Sequence, residues 1–238
     1  MSAVPAEWAE HPLVRVSEPT WRSPQVERAP GALLVTMATE DPGRRAALGL
    51  GDAVGLARLA TRLRGELSVL TMPPEAWDAM GPDDVARLAL PTRARWEWMV
   101  THVAPEPRPG ESHVREVDMS REREALADLQ RRALPNTYTS LDRPGTRWFG
   151  WYDDEGAIRS MAGAGDWVHE VHLGSVATEQ SWRGRGIGAA LTAAVTRMGL
   201  AATGQVSLGV YAANSRAIAL YERLGFTVAY SADSRRPG

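Results

Sequence analysis

The stretch Arg183-Gly184-Arg185-Gly186-Ile187-Gly188, followed by Ala189-Ala190-Leu191, constrains this chain more than any other. It lies between an apolar strand-like run and a segment in which Ile187, Leu191, Ala194, Val195, Met198 and Ala202 share one helical face. Three glycines at alternate positions leave several backbone N–H groups unshielded by side chains. With a helix starting there, those N–H groups and the positive end of the helix dipole converge on one point. That is a site for a phosphate or pyrophosphate.

The rest of the composition mostly excludes. The 238 residues, 44% hydrophobic, allow one large domain or two small ones. The net charge of −2 argues against nucleic acid and against an anionic membrane surface. Cysteine is absent, which removes disulfides, cysteine metal sites and a cysteine acyl-enzyme. Lysine is absent as well, so Schiff-base chemistry through the chain's own lysine is excluded. The start Met1-Ser2-Ala3-Val4-Pro5 has neither a basic nor an apolar leader region, and no run of eighteen apolar residues occurs. A soluble cytoplasmic protein is the expectation.

Val103-Ala104-Pro105-Glu106-Pro107-Arg108-Pro109-Gly110 reads as a linker and sets the expected division into residues 1–108 and 109–238. The second part has a legible order. Strands are predicted over His113–Val117, Arg147–Tyr152, Ile158–Gly165, Val168–Ala177, Gln205–Tyr211 and Phe226–Tyr230. Helices are predicted over Arg121–Leu134, after the glycine loop, and from Asn214, a good N-cap residue, to a stop at Gly225. The order β-α-β-β-β-α-β-α-β predicts a mixed sheet with helices on it, an α/β (α+β) chain. The first part is less legible. Ala32–Ala38, Glu66–Thr71 and the alternation of Trp96, Trp98 and Val100 suggest strands, and Leu56–Leu63 a helix. It shows no chemical motif and no convincing repeat of the second part.

Three readings of the glycine loop compete. The dinucleotide fingerprint needs its third glycine three residues after the second, but Gly184, Gly186 and Gly188 are spaced by two. The Walker pattern needs a lysine. The third reading is Arg183-x-x-Gly186-x-Gly188, which resembles the R/Q-x-x-G-x-G/A motif of the GNAT N-acetyltransferase superfamily. Ordered features around it strengthen the resemblance. Val176-Ala177-Thr178 ends a strand where this family has a splayed one. Asn214 starts a helix after the next strand, and Ala219-Leu220-Tyr221-Glu222-Arg223-Leu224-Gly225-Phe226 looks like the family's A-x-x-L-Y-x-x-x-G-F closing signature. The likeness covers roughly residues 113–230 and is nearest to the glycine N-acyltransferase-like branch, in which a poorly matching half precedes a standard domain.

The resemblance implies a GNAT fold: a mixed central sheet with splayed fourth and fifth strands and flanking helices, here behind a smaller, degenerate GNAT-like N-terminal domain. It implies acetyl-CoA, or another acyl-CoA, as acyl donor and an amine as acceptor. The pyrophosphate would lie on the N–H groups of Gly184, Arg185, Gly186, Ile187, Gly188 and Ala189, with Arg183 and Arg185 adding charge. The pantetheine arm would pair with Val176, Ala177 and Thr178 like an added strand, and Asn214 belongs to the same cofactor set. A backbone N–H there would polarise the thioester carbonyl. Direct amine attack in a ternary complex forms a tetrahedral intermediate, and Tyr221 is placed by the resemblance to protonate the leaving thiolate.

The general base stays open. Several family members carry a glutamate five residues before the asparagine, but here that position is Gly209. Glu170 and His172 lie two apart on one strand face, as proton relays or as an outward-facing polar pair. Glu179 reads as a solvated turn residue. The histidines show no metal-like grouping, so no metal is expected. Tyr138, Trp148, Trp151 and Trp167 are candidates for an acceptor pocket, although most aromatics at such positions are core. Without a charged cluster to suit a protein tail, a small-molecule amine is the preferred acceptor. A protein or peptide N-acetyltransferase and a non-catalytic CoA-binding module are the alternatives, with residues 1–108 as a vestigial acetyltransferase half, an acceptor-site cap or a homodimer surface.

Overall fold

The computed structural model describes residues 4–135, 137, 139–167 and 169–238. Its strands are β1 (Arg22–Ala29), β2 (Ala32–Ala38), β3 (Arg44–Gly51), β4 (Glu66–Met72), β5 (Thr92–Thr101), β6 (Val114–Glu116), β7 (Thr146–Tyr152), β8 (Ile158–Trp167), β9 (Glu170–Thr178), β10 (Val206–Tyr211) and β11 (Thr227–Arg236). Its helices are α1 (Ala6–Ala9), α2 (Pro12–Ser17), α3 (Ala53–Ala60), α4 (Pro74–Asp78), α5 (Pro82–Arg87), α6 (Arg123–Ala133), α7 (Ile187–Thr203) and α8 (Ser215–Arg223). Among the described residues no helix is long and apolar enough to cross a membrane.

Two compact units divide the chain. The first comprises Met1–Trp98, Val210–Asn214 and Val228–Gly238, and the second Met99–Gly209 and Ser215–Thr227. The sequence reading set one division at 108/109. The difference arises because β11 returns to the first unit, where it pairs antiparallel with β4 through Met72↔Asp233 and Leu70↔Arg235. A long-range strand pairing of this kind leaves no local signal in the sequence.

In the first unit β1, β2 and β3 form an antiparallel meander, and α3 then crosses over to β4, which runs parallel to β3. Leu34, Leu56, Leu59, Leu70, Met72 and Trp77 fill its core. Each such side chain contributes on the order of 1.5–3 kcal/mol by burial. The second unit has the same order. Strands β7, β8 and β9 are antiparallel, α7 crosses over, and β10 runs parallel to β9. The repeat that the sequence does not show is therefore present in the topology. It escaped because core positions tolerate any apolar side chain of suitable volume.

Helix α7 is set by its ends and by one close approach. Gly204 closes it in the left-handed region (φ 74°), its N–H donating to Leu200 O at 2.8 Å. A Cβ at Gly199 would stand 2.7 Å from Val206 Cγ2 and 3.0 Å from Val171 Cβ, so only glycine lets the helix lie this close to β9 and β10. Leu126 and Leu129 of α6 pack with Trp148, Tyr152 and Met161 in the core of this unit.

Candidate active site

At the other end of α7 the helix opens without a side-chain cap. Its N-cap is Gly186 at φ 80°, and Gly184 stands at φ 82°. Both values lie in the region that non-glycine residues avoid, and a Cβ at either would meet nothing within 4 Å. Backbone capping begins only with Ala190 N–H on Gly186 O (3.0 Å). The N–H groups of Ile187, Gly188 and Ala189 thus carry the positive helix end into open space. At Gly188 a Cβ would come within 3.3 Å of Thr178 Oγ1, which brings the helix start against the end of β9. Arg183 Nε donates to Thr178 O at 3.0 Å and ties the loop to the same strand end. Arg185 is exposed but folds back over the loop. Its guanidinium lies 4.7 Å from the Trp182 ring centre, and Nη2 donates to Ser181 O at 3.3 Å.

The strand that leads into the loop is irregular where the ligand edge was expected. The β8–β9 register passes from Met161↔Ala177 to Gly163↔Gly174, so Ser175 and Val176 together face Ala162. This is a β-bulge, and Ser175 takes φ 51°. The parallel pairing of β9 with β10 runs from Val206↔Val171 to Leu208↔Leu173, while β9 continues to Thr178. Gly174–Thr178 therefore extends past the last pair and presents a strand edge. Ser160 Oγ fixes the tip, bonding to Ala177 O (2.8 Å) and Thr178 Oγ1 (2.9 Å).

Glu170 and His172 lie at the paired start of β9. Glu170 is wholly buried, not outward-facing, and accepts from Ser207 Oγ and Gln205 Nε2. Ser207 Oγ also lies 2.9 Å from His172 Nδ1. The three form a chain Glu170–Ser207–His172 that ends one residue before the strands part. Burial first, and the Arg143 charge second, push the His172 imidazole down to about 3, so it is neutral at physiological pH.

Tyr221 lies on α8, 7% exposed, its ring 6.0 Å from that of Phe226. Burial pushes its phenol up to about 12, which keeps the proton on it at pH 7. Asn214 immediately precedes α8, and its N–H donates to Tyr211 O (2.8 Å). Trp148 and Trp151 are core residues at 1% and 9% exposure. Tyr138 and the side chain of Trp167 lie outside what the structure describes. Glu179 is not a solvated turn residue, because it holds Arg159 Nη1 at 2.9 Å.

Ser175, Ser207 and Trp182 had no role in the sequence reading. A serine at a bulge and a serine opposite a histidine become visible only with strand register. Trp182 was within reach, since an aromatic three residues before Arg185 invites a cation–π contact.

A bulged strand with a free edge thus runs into a helix whose bare N-terminus faces outward. Residues 111–226 match the Acetyltransferase (GNAT) family. No curated protein sequence matches the chain. The fold is that of solved GNAT structures over almost the whole chain. A putative acetyltransferase of the GNAT family from Novosphingobium aromaticivorans is similar at 20% identity and a TM-score of 0.56, over 93% of this chain and 92% of that one. A GCN5-related N-acetyltransferase from Kribbella flavida is similar at 17% identity and 0.54, over 91% and 90%. A GCN5-related N-acetyltransferase-like protein from Streptococcus suis is similar at 14% and 0.55, over 97% and 94%.

Proposed function

We propose that this chain transfers an acyl group, acetyl in the first instance, from acyl-CoA to a primary amine of a small molecule. The observation that carries the reading is the uncapped start of α7 at Gly186, set against the bulged end of β9. The residues present fit CoA: Gly184 and Gly186 leave room for a close phosphate, and Gly174–Thr178 offers a free edge for an amide-bearing arm. Bound acyl-CoA would supply an activated thioester there.

The chain's own groups then have separable tasks. The N–H groups of Ile187, Gly188 and Ala189, with Arg183 and Arg185, hold the pyrophosphate. Backbone N–H groups at the Ser175–Val176 bulge stabilise charge on the thioester oxygen. Tyr221, protonated throughout the physiological range, gives its proton to the departing sulfur. Water beside neutral His172 carries the amine proton away, since an imidazole pushed down to about 3 keeps no proton at pH 7, and Ser207 with Glu170 holds that imidazole in place. Asn214 belongs to the cofactor set through its place ahead of α8. Residues 1–108 serve as a degenerate half, which supports a glycine N-acyltransferase-like branch.

Calorimetric titration with CoA, followed by turnover on a panel of small amines and of peptides, tests the reading. Saturable CoA binding with turnover on small amines is expected. Turnover on peptides alone would move the acceptor to proteins. CoA binding without any turnover would make the domain a binding module, and a failure to bind CoA would end the proposal.

A further inference from the structure

We propose that the first unit carries a separate binding site for a small organic anion, a carboxylate on an apolar body, in the cavity beside α5. The inference is independent of the acyl-transfer site, because every residue involved lies outside residues 111–226.

The cavity measures about 540 Å³, within the range of small-molecule sites. Val85, Ala86, Ala89, Leu90 and Pro91 give it an apolar lining, which Arg93, Arg235 and Gly238 complete. The apolar wall is held by an unusual backbone. The chain leaves α5 through Ala89 at φ 52°, a conformation that costs an alanine about 1 kcal/mol. Such strain persists only where the surroundings fix it.

The cationic side is built around Asp233, which is fully buried. Arg93 contacts its Oδ2 through Nε (2.7 Å) and Nη2 (2.6 Å), Arg235 Nη2 lies 3.6 Å away and Arg95 Nε 3.8 Å away. Neutralising one carboxylate takes one guanidinium. Three leave a local surplus of positive charge even with the carboxylate of Gly238 at the cavity counted, and two of the three cations line the cavity. The acids of α5, Asp83 and Asp84, occupy its first turn, away from Ala89, and Asp84 pairs with Arg87.

Both lining arginines are held in place. Arg235 stacks on the Trp77 ring at 4.0 Å, and its Nε is buried without a partner. Arg93 is fixed by its two contacts to Asp233, with a side chain still 42% exposed. A rigid pair of planar donors loses little entropy on taking a carboxylate, and the apolar wall accommodates the rest of the ligand.

Octanoate titrated calorimetrically into the full chain is the test, with octanol and inorganic phosphate as the two half-ligands. Octanoate is expected to bind at least tenfold tighter than either. Arg93→Gln should weaken octanoate at least tenfold. That change also leaves Asp233 with less compensation, so Ala86→Trp is the second variant. It fills the cavity from the exposed face of α5 and should abolish octanoate binding while the melting temperature holds. The proposal is overturned by absent octanoate binding, by phosphate binding as tightly as octanoate, or by unchanged octanoate affinity in both variants.

Discussion

In the first unit the chain passes from β3 to α3 through Asp52 alone, whereas in the second it takes residues 179–186 to pass from β9 to α7. The topology around the two junctions is the same, and the chemistry is opposite. Asp52 Oδ2 accepts from Gly55 N–H at 2.7 Å, so a carboxylate of the chain already sits on the positive end of α3. The corresponding end of α7 has Gly186 and no cap. Pairing of β3 with β4 reaches Leu48↔Thr71, close to the end of β4, and the Gly49 carbonyl beyond it accepts from Tyr230 Oη at 2.7 Å. In β9 five residues extend past the last pair with β10. A strand–helix–strand crossover thus supplies a place for an anion site. Whether a ligand can use it depends on what the chain puts at the helix end and on the strand edge.

The strongest way to break this contrast is to give α7 the cap that α3 has. Gly186→Asp places a negative charge where a pyrophosphate would lie. At about 4 Å and an effective dielectric near 20 the repulsion is about 4 kcal/mol, so CoA affinity should fall roughly 10³-fold by calorimetry. Retained affinity would show that the α7 terminus is not the phosphate site. Next in size is Tyr221→Phe. Loss of a positioned acid should lower kcat roughly 10²-fold with CoA affinity nearly unchanged. An equal kcat would remove Tyr221 from that role.

The buried polar chain on β9 and β10 sharpens the comparison through pH. The β3–β4 pair buries Ala47, Leu50, Leu67, Leu70, Met72 and Thr71, with no titratable side chain among its buried residues. His172 has its folded-state pKa pushed down to about 3, below the unfolded value near 6.5. The unfolded chain therefore binds the extra proton between these values. Its stabilising contribution is complete above pH 6.5 and lost as pH falls toward 3, by about 2 kcal/mol between pH 7 and pH 5. His172→Asn should flatten that acid limb in melts recorded against pH. An unchanged limb would place the sensitivity elsewhere. The smallest effect belongs to Asp52→Ala, which removes the α3 cap and should cost about 1 kcal/mol in chemical denaturation. CoA stoichiometry should stay at one per chain in that variant, and a second site appearing would mean that Asp52 alone closes the first unit.

Much of the second unit was legible because its signals are local. The glycine spacing at 184–188, the alternation of Val206, Leu208 and Val210, and the helix stop at Gly225 each lie within a few residues of the element they specify. Strand and helix limits shifted by one to a few residues: the helix read from Asn214 starts at Ser215, and the strand ended at Tyr230 continues to Arg236. The first unit was read in part. Strands β1 and β3 were missed, the former because Arg22–Ala29 is mostly exposed and carries a proline, the latter because Arg44–Gly51 is rich in alanine and glycine. Within the candidate site, the loop and Tyr221 came from motif spacing. The bulge at Ser175 and the Ser207 link did not, because both depend on which residue faces which across a sheet.

The sequence by itself determined the chain's chemical limits and the glycine loop. Without cysteine or lysine, several covalent routes are closed, and glycines at 184 and 186 permit backbone angles that other residues avoid. Tertiary structure decided what surrounds that loop. It placed β11 beside β4, gave the first unit a crossover matching that of the second, filled the first junction with Asp52 and Tyr230, and gathered three arginines on Asp233. The physical reason is range: backbone angles and helix ends are set by neighbours in the chain, whereas strand register, burial and charge clustering are set by residues that meet only when the chain is folded.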